Sequence, residues 1–154
     1  MLDQLADYSI PILHPVIVHF PVALSLVALL CATVWLIRDK EFWLRSTTYL
    51  EILAFIGAFF AVRTGKLMKE QSEGVPMVDR FIEYHETMGE RALWLLGLTL
   101  VAITACYWYT NRDMSRSGTR LSIRIITYLF IALSAVFAGM AGYIGGIMTW
   151  SIPA

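Results

Sequence analysis

The chain has three histidines, and their placement decides what chemistry it could offer. His14 and His19 lie in LHPVIVHFPVAL, where a long apolar run begins, and His85 stands alone much later. Two imidazoles on opposite sides of one iron would hold a b-type haem, using ligands from facing helices of a bundle. His19 with His85 is one such pair and His14 with His85 is its rival; Met88 could substitute as an axial ligand. Alternatively, His14, His19 and His85, with Glu83 or Glu86 nearby, could hold a zinc, copper or iron ion. The tight HxxxH or HxxE pairs of strong metal motifs are missing. The run GMAGYIGG brings Gly142, Gly145 and Gly146, which would let a flat macrocycle approach the backbone because glycine has no Cβ. Arg63, Lys66 and Arg91 could face haem propionates through charge-assisted pairing. Each feature also has a structural reading without any cofactor. Gly142 and Gly146 fit GxxxG-type helix packing, Arg63 can mark a membrane edge, and an interfacial histidine can simply be hydrogen-bonded. No nucleophile–base pair, phosphate loop or nucleotide fingerprint supports hydrolase or transferase chemistry.

The histidines can act together only if the surrounding elements assemble them. The chain of 154 residues is 58% hydrophobic and 16% charged, with no net charge, which gives no reason to expect a nucleic-acid partner. Its charge is segregated, leaving long windows nearly free of it, the pattern of segments that cross a lipid bilayer. Cys31 and Cys106 lie inside such windows and are expected to be small hydrophobes. The first ten residues lack Lys and Arg, so no cleavable leader is expected. Spans are expected at about 16–37, 46–66, 77–110 and 125–150 within one domain covering 1–154. Backbone groups in lipid must be satisfied internally, so the expected fold is an all-α, integral membrane, up-down-up-down four-helix bundle. Pro15 is the expected start of the first helix, leaving His14 on the incoming strand. Gly74, Val75 and Pro76 mark a break before the third helix, whose inward stripe includes His85. Trp35, Trp43, Trp94, Trp108 and Trp150 read as interfacial belts.

Basic residues set the expected orientation. Arg38, Lys40 and Arg45 follow the first span, and Arg112, Arg116, Arg120 and Arg124 precede the fourth. Both loops should be cytoplasmic, and both termini and all three histidines should face the periplasm or exterior. Counted along the helices from that side, His19 lies level with Arg63 and the glycines. His14 stands about 6 Å further out and His85 about 9 Å. All three fall in one outer slab.

The helix start HPVIVHFPVAL resembles the HPxxVHFP signature of a prokaryotic membrane family, domain of unknown function 2231. Arg63-Thr64-Gly65, the turn around His85 and the closing GYIGG are similar to that family as well. The resemblance covers nearly the whole chain. The family pattern commonly continues past the paired glycines to a further His-Gly, whereas this chain reads IMTWSIPA there. Relatives joined to Rieske-type or cytochrome modules imply a multi-pass protein of the prokaryotic inner membrane that serves a larger redox complex in electron transfer. The alternative is a non-haem metal-binding or purely structural membrane subunit.

Overall fold

The computed structural model describes the backbone over residues 2–71, 76–110 and 117–150, and side chains over 14–69, 79–110 and 118–148. Four helices follow in order: α1 Leu2–Arg38, α2 Glu41–Gln71, α3 Pro76–Thr110 and α4 Ser117–Trp150. No strand occurs among the described residues. Each helix packs on two neighbours, α1 on α2 and α4, and α3 on α2 and α4, so α1 and α3 stand diagonally across a square. Paired contacts fix the directions. His14 and Pro21 meet Gly65 and Gly57, Val22 and Trp35 meet Gly142 and Arg124, and Phe55 and Lys66 meet Gly97 and Glu90. All neighbours are therefore antiparallel, α1 begins at the end where α4 finishes, and the bundle is up-down-up-down.

The inside of the bundle is rich in small and polar residues, and the outside is large and apolar. Ala28, Ala32, Ala54, Ala58, Ala61, Ala92, Ala135 and Ala138 are buried, as are Ser25, Thr47, Glu51, Thr99, Thr127 and Ser134. Leu30, Ile37, Phe42, Leu53, Trp94, Val101, Leu129 and Val136 face outward on all four helices. Small residues let helix backbones approach closely, and an apolar girdle of this extent suits lipid. Three segments, His14–Arg38, Asp79–Thr110 and Gly118–Met148, are long and apolar enough to cross a membrane. Helix α2 carries Glu51, Arg63 and Lys66 and does not qualify on composition, but it is the return leg between α1 and α3.

The helices outrun the spans read from the sequence. Helix α1 does not begin at Pro15; it continues back to Leu2 through Pro11, Pro15 and Pro21. Helix α4 begins at Ser117, ahead of residue 125. A proline inside a helix frees one carbonyl, whereas an unravelled strand at the lipid boundary would free many more groups. Helix α3 starts with Pro76 at its first position, where the missing N–H costs nothing. Hydropathy locates the lipid-embedded part of a helix and says nothing of where its polar ends stop.

A second correction concerns tryptophan. Trp35 is only 3% exposed and packs in a core cluster with Ala32, Leu44, Ile103, Cys106 and Ile131. Trp94 and Trp108 face outward as a belt would, and the side chain of Trp150 lies outside the described residues. Arg124, counted above as a loop charge, is also buried, at 8% exposure. Its Nη2 donates to the Trp35 and Leu36 carbonyls at 2.7 Å each, its Nη1 lies 2.9 Å from Asp39 Oδ2, and its guanidinium sits 5.2 Å from the Trp35 ring centre. Asp39 ends α1 in the left-handed region, at φ 51°. Arg124 thus caps the exposed carbonyls of α1, where a cation is favoured by the helix dipole.

Candidate functional site

The opposite end of the bundle holds the histidines. Helix α1 is continuous through both of its histidines, and five residues of helix turn His19 about 140° away from His14. His14 turns into the bundle. His19 is exposed, and its Nδ1 bonds the Pro15 carbonyl of its own helix. His85 turns inward from α3. The two inward rings meet across the diagonal, with centroids 6.0 Å apart and planes at 89°. The structure brings His14 and His85 together and leaves His19 outside.

Each imidazole is held by the helix next to its own. His14 Nδ1 lies 3.0 Å from Thr64 Oγ1 on α2. Thr64 Oγ1 also lies 2.9 Å from Phe60 O, and a hydroxyl donating to that carbonyl leaves its oxygen able to accept from His14 Nδ1. His85 Nδ1 donates to Ala141 O on α4 at 3.0 Å. The carbonyl partner puts the His85 proton on Nδ1 and its lone pair on Nε2, the tautomer suited to a metal ligand, and Thr64 can accept the same tautomer from His14. Both rings also rest on glycine. A Cβ at Gly65 would lie 3.0 Å from His14 Cε1, and one at Gly145 would lie 3.0 Å from His85 Cε1. The hairpins α1–α2 and α3–α4 therefore repeat one arrangement: histidine on the first helix, polar anchor and glycine seat on the second.

Beneath the rings lies a cavity of about 80 Å³, against roughly 10–15 Å³ needed for one water. Its wall is largely small, with Gly65, Gly89, Gly142, Ala58, Ala61 and Ala92 among the lining residues, and Leu96 lies at its lower end. Lys66, Lys69 and Glu86 stand at the mouth. Lys69 Nζ contacts Glu86 Oε2 and Lys66 Nζ contacts Glu90 Oε1, each at 2.7 Å, tying α2 to α3.

The remaining sequence candidates divide. Gly142 packs on Val22, where a Cβ would come within 3.2 Å, and also lines the cavity. Gly146 meets nothing within 4 Å. Arg63 and Arg91 are exposed, Arg63 lying 5.6 Å from the Phe59 ring centre. The lysines, rather than these arginines, border the cavity. Among the described residues no group of three His, Cys, Asp or Glu side chains is placed to hold a metal ion. Sequence reasoning missed Thr64, Gly65 and Ala141 as partners of the rings. The available signal was a small-residue stripe, Ala54, Ala58, Ala61 and Gly65, matched on α4 by Ala135, Ala138, Gly142 and Gly145.

From His14 to Trp35 is 21 residues of helix, or about 32 Å at 1.5 Å per residue, close to the thickness of the hydrocarbon core. The histidine pair and the Arg124 cap thus stand at opposite ends of the bundle, about one hydrocarbon-core thickness apart. These features define the class: a four-helix membrane bundle with a diagonal imidazole pair at one end. The family model described as "Predicted membrane protein (DUF2231)" matches residues 10–153, and the chain belongs to that family. Comparisons with curated proteins and with solved structures return no match.

Proposed function

We propose that this protein is an electron-transfer subunit that binds b-type haem through His14 and His85. The observation that carries the reading is the facing pair of imidazoles, each fixed through Nδ1. Two imidazoles on opposite sides of one metal, with metal–nitrogen bonds of about 2.0–2.1 Å, have ring centres about 6.4 Å apart. The observed separation is 6.0 Å, so the pair need open only slightly to hold one. Haem would supply a one-electron iron couple. The chain would supply two oriented ligands, a glycine and alanine wall, and Lys66 and Lys69 for propionates. A macrocycle exceeds the present cavity, so loading it requires the helices to part at this end. Arg38, Lys40, Arg45 and Arg120 cluster at the Arg124 end, supporting a cytoplasmic location for that end and an outer location for the haem. In a prokaryotic inner membrane the site would then serve a periplasmic or membrane partner such as a cytochrome or Rieske-type protein.

A second reading has its own observation. The cavity as it stands accommodates a bare transition-metal ion and several waters without helix movement, with the same two imidazoles as ligands. Absorption spectra of oxidised and dithionite-reduced protein, with metal analysis, separate the two. Haem predicts a low-spin bis-imidazole spectrum that is lost in His14→Ala and His85→Ala and retained in His19→Ala. Stoichiometric non-haem metal, lost in the same two variants, selects the second reading. A protein free of both after expression with haem and metal supplementation overturns the redox role and leaves the rings as helix staples.

A further inference from the structure

One fully buried carboxyl belongs neither to the histidine site nor to the Arg124 cap. Glu51, on α2, is 0% exposed, and neither carboxyl oxygen has a hydrogen-bond partner. Two other fully buried polar groups are unpartnered: Ser25 Oγ on α1 and Thr99 Oγ1 on α3. The helix pairings put these three at one level. Pro21 against Gly57 sets Ser25 opposite residue 53, and Phe55 against Gly97 sets Thr99 opposite the same residue. Both hydroxyls are therefore within about one helical turn, 5.4 Å, of Glu51 along the bundle axis. Three orphaned polar groups from three helices share a layer of the bundle core.

We propose that Glu51 is a proton-binding site within the membrane, served by water that bridges its carboxyl to Ser25 and Thr99. A lone buried carboxylate is costly and an orphaned hydroxyl costs free energy too, so groups at one level need a common partner. Water, which takes two to four partners, meets that need. No opposing charge stabilises an ionised form. On α1 the titratable group near this level is Cys31, on α4 it is Tyr128, and α3 has none between Arg91 and Cys106. On α2 itself the flanking groups are Tyr49 and, further off, Arg45 and Arg63. A sodium ion would need more oxygens than Glu51, Ser25 and Thr99 provide. Membrane cation sites draw the rest from unwound helices, and all four helices are continuous here. The carboxyl therefore carries a proton, exchangeable through the bridging water. It lies 13 residues, or about 20 Å, along α2 from Thr64, so the site stands apart from the histidines and does not rest on their ligand.

Infrared spectroscopy of the purified full-length protein in lipid nanodiscs tests this without any cofactor. At neutral pH the wild type should show a protonated-carboxyl C=O band that shifts on transfer to D₂O and is lost in Glu51→Gln. Thr99→Val and Ser25→Ala should keep the band, move its frequency and slow its exchange. If Glu51→Gln does not assemble, glutamate-specific carbon-13 labelling of the wild type assigns the band to glutamate, and the Ser25 and Thr99 variants tie it to position 51. A band absent at neutral pH, insensitive to D₂O, or unchanged in all three variants overturns the proposal. Sodium-dependent loss of the band also overturns it, in favour of a cation site.

Discussion

Adding one methyl group at Gly145 should damage the bundle, while the same change one residue later should strengthen it. A Cβ at Gly145 would stand 3.0 Å from His85 Cε1, whereas relaxed carbon contacts lie at about 3.5–4.0 Å. The ring must retreat by a few tenths of an ångström to reach ordinary contact. Retreat from α4 stretches the 3.0 Å bond from His85 Nδ1 to Ala141 O towards the limit of hydrogen bonding. Overpacking of this kind costs about 1–3 kcal/mol. Replacing an interior helical glycine by alanine returns about 1 kcal/mol. Gly146→Ala, with nothing within 4 Å, receives only the gain. The two variants should thus differ by about 1–3 kcal/mol, with Gly145→Ala the less stable. In a His85→Ala background the ring is gone, and Gly145→Ala should become as favourable as Gly146→Ala. Reversible unfolding in mixed micelles measures all of these. Gly145→Ala matching Gly146→Ala with His85 present, or keeping its cost with His85 absent, would refute the seat. Gly65→Ala with His14→Ala repeats the test on the other hairpin.

Arg124→Leu removes charge-assisted bonds to two α1 carbonyls and should cost about 1.5–3 kcal/mol by unfolding; Asp39→Asn, at a half-exposed partner, should cost less than about 1 kcal/mol. An equal effect of the two would show that the carbonyl cap contributes nothing. Trp35→Ala should lose about 3–5 kcal/mol as a core truncation, whereas outward-facing Trp94→Ala should stay within about 0.5 kcal/mol of wild type. The reverse order would mean that the two faces of the bundle are misassigned. For topology, Cys31 and Cys106 are replaced by alanine and single cysteines introduced at Tyr84 and Thr119, both exposed positions. Impermeant maleimide should label position 84 in intact cells and position 119 only in inverted vesicles; the opposite pattern reverses the orientation and moves the histidine site to the cytoplasmic side.

Linear order determined a good deal. Charge-free windows of bilayer length, short links and lipid's intolerance of unpaired backbone imply four antiparallel helices. Counting residues along those helices puts His14, His19 and His85 in one slab, since axial height depends only on residue number and rise. Rotation is a different matter. Which histidines share the interior depends on whether α1 continues through Pro15, and only the folded helix settles that His14 points in while His19 points out. The sequence marks Gly65 only as one of a stripe of small residues, and the ring contacts of Thr64, Gly65 and Ala141 stay hidden in it because their part is to be opposite a ring on another helix. Trp35 and Arg124 read as a belt residue and a loop charge because hydropathy sees residue type, whereas their burial comes from α1 and α4 meeting at the capped end. Glu51 reads as one acid in an apolar window. Its isolation, and its shared level with Ser25 and Thr99, exist only after α1, α2 and α3 have packed, because the register between helices is set by side-chain interdigitation and not by the order of residues along any one of them.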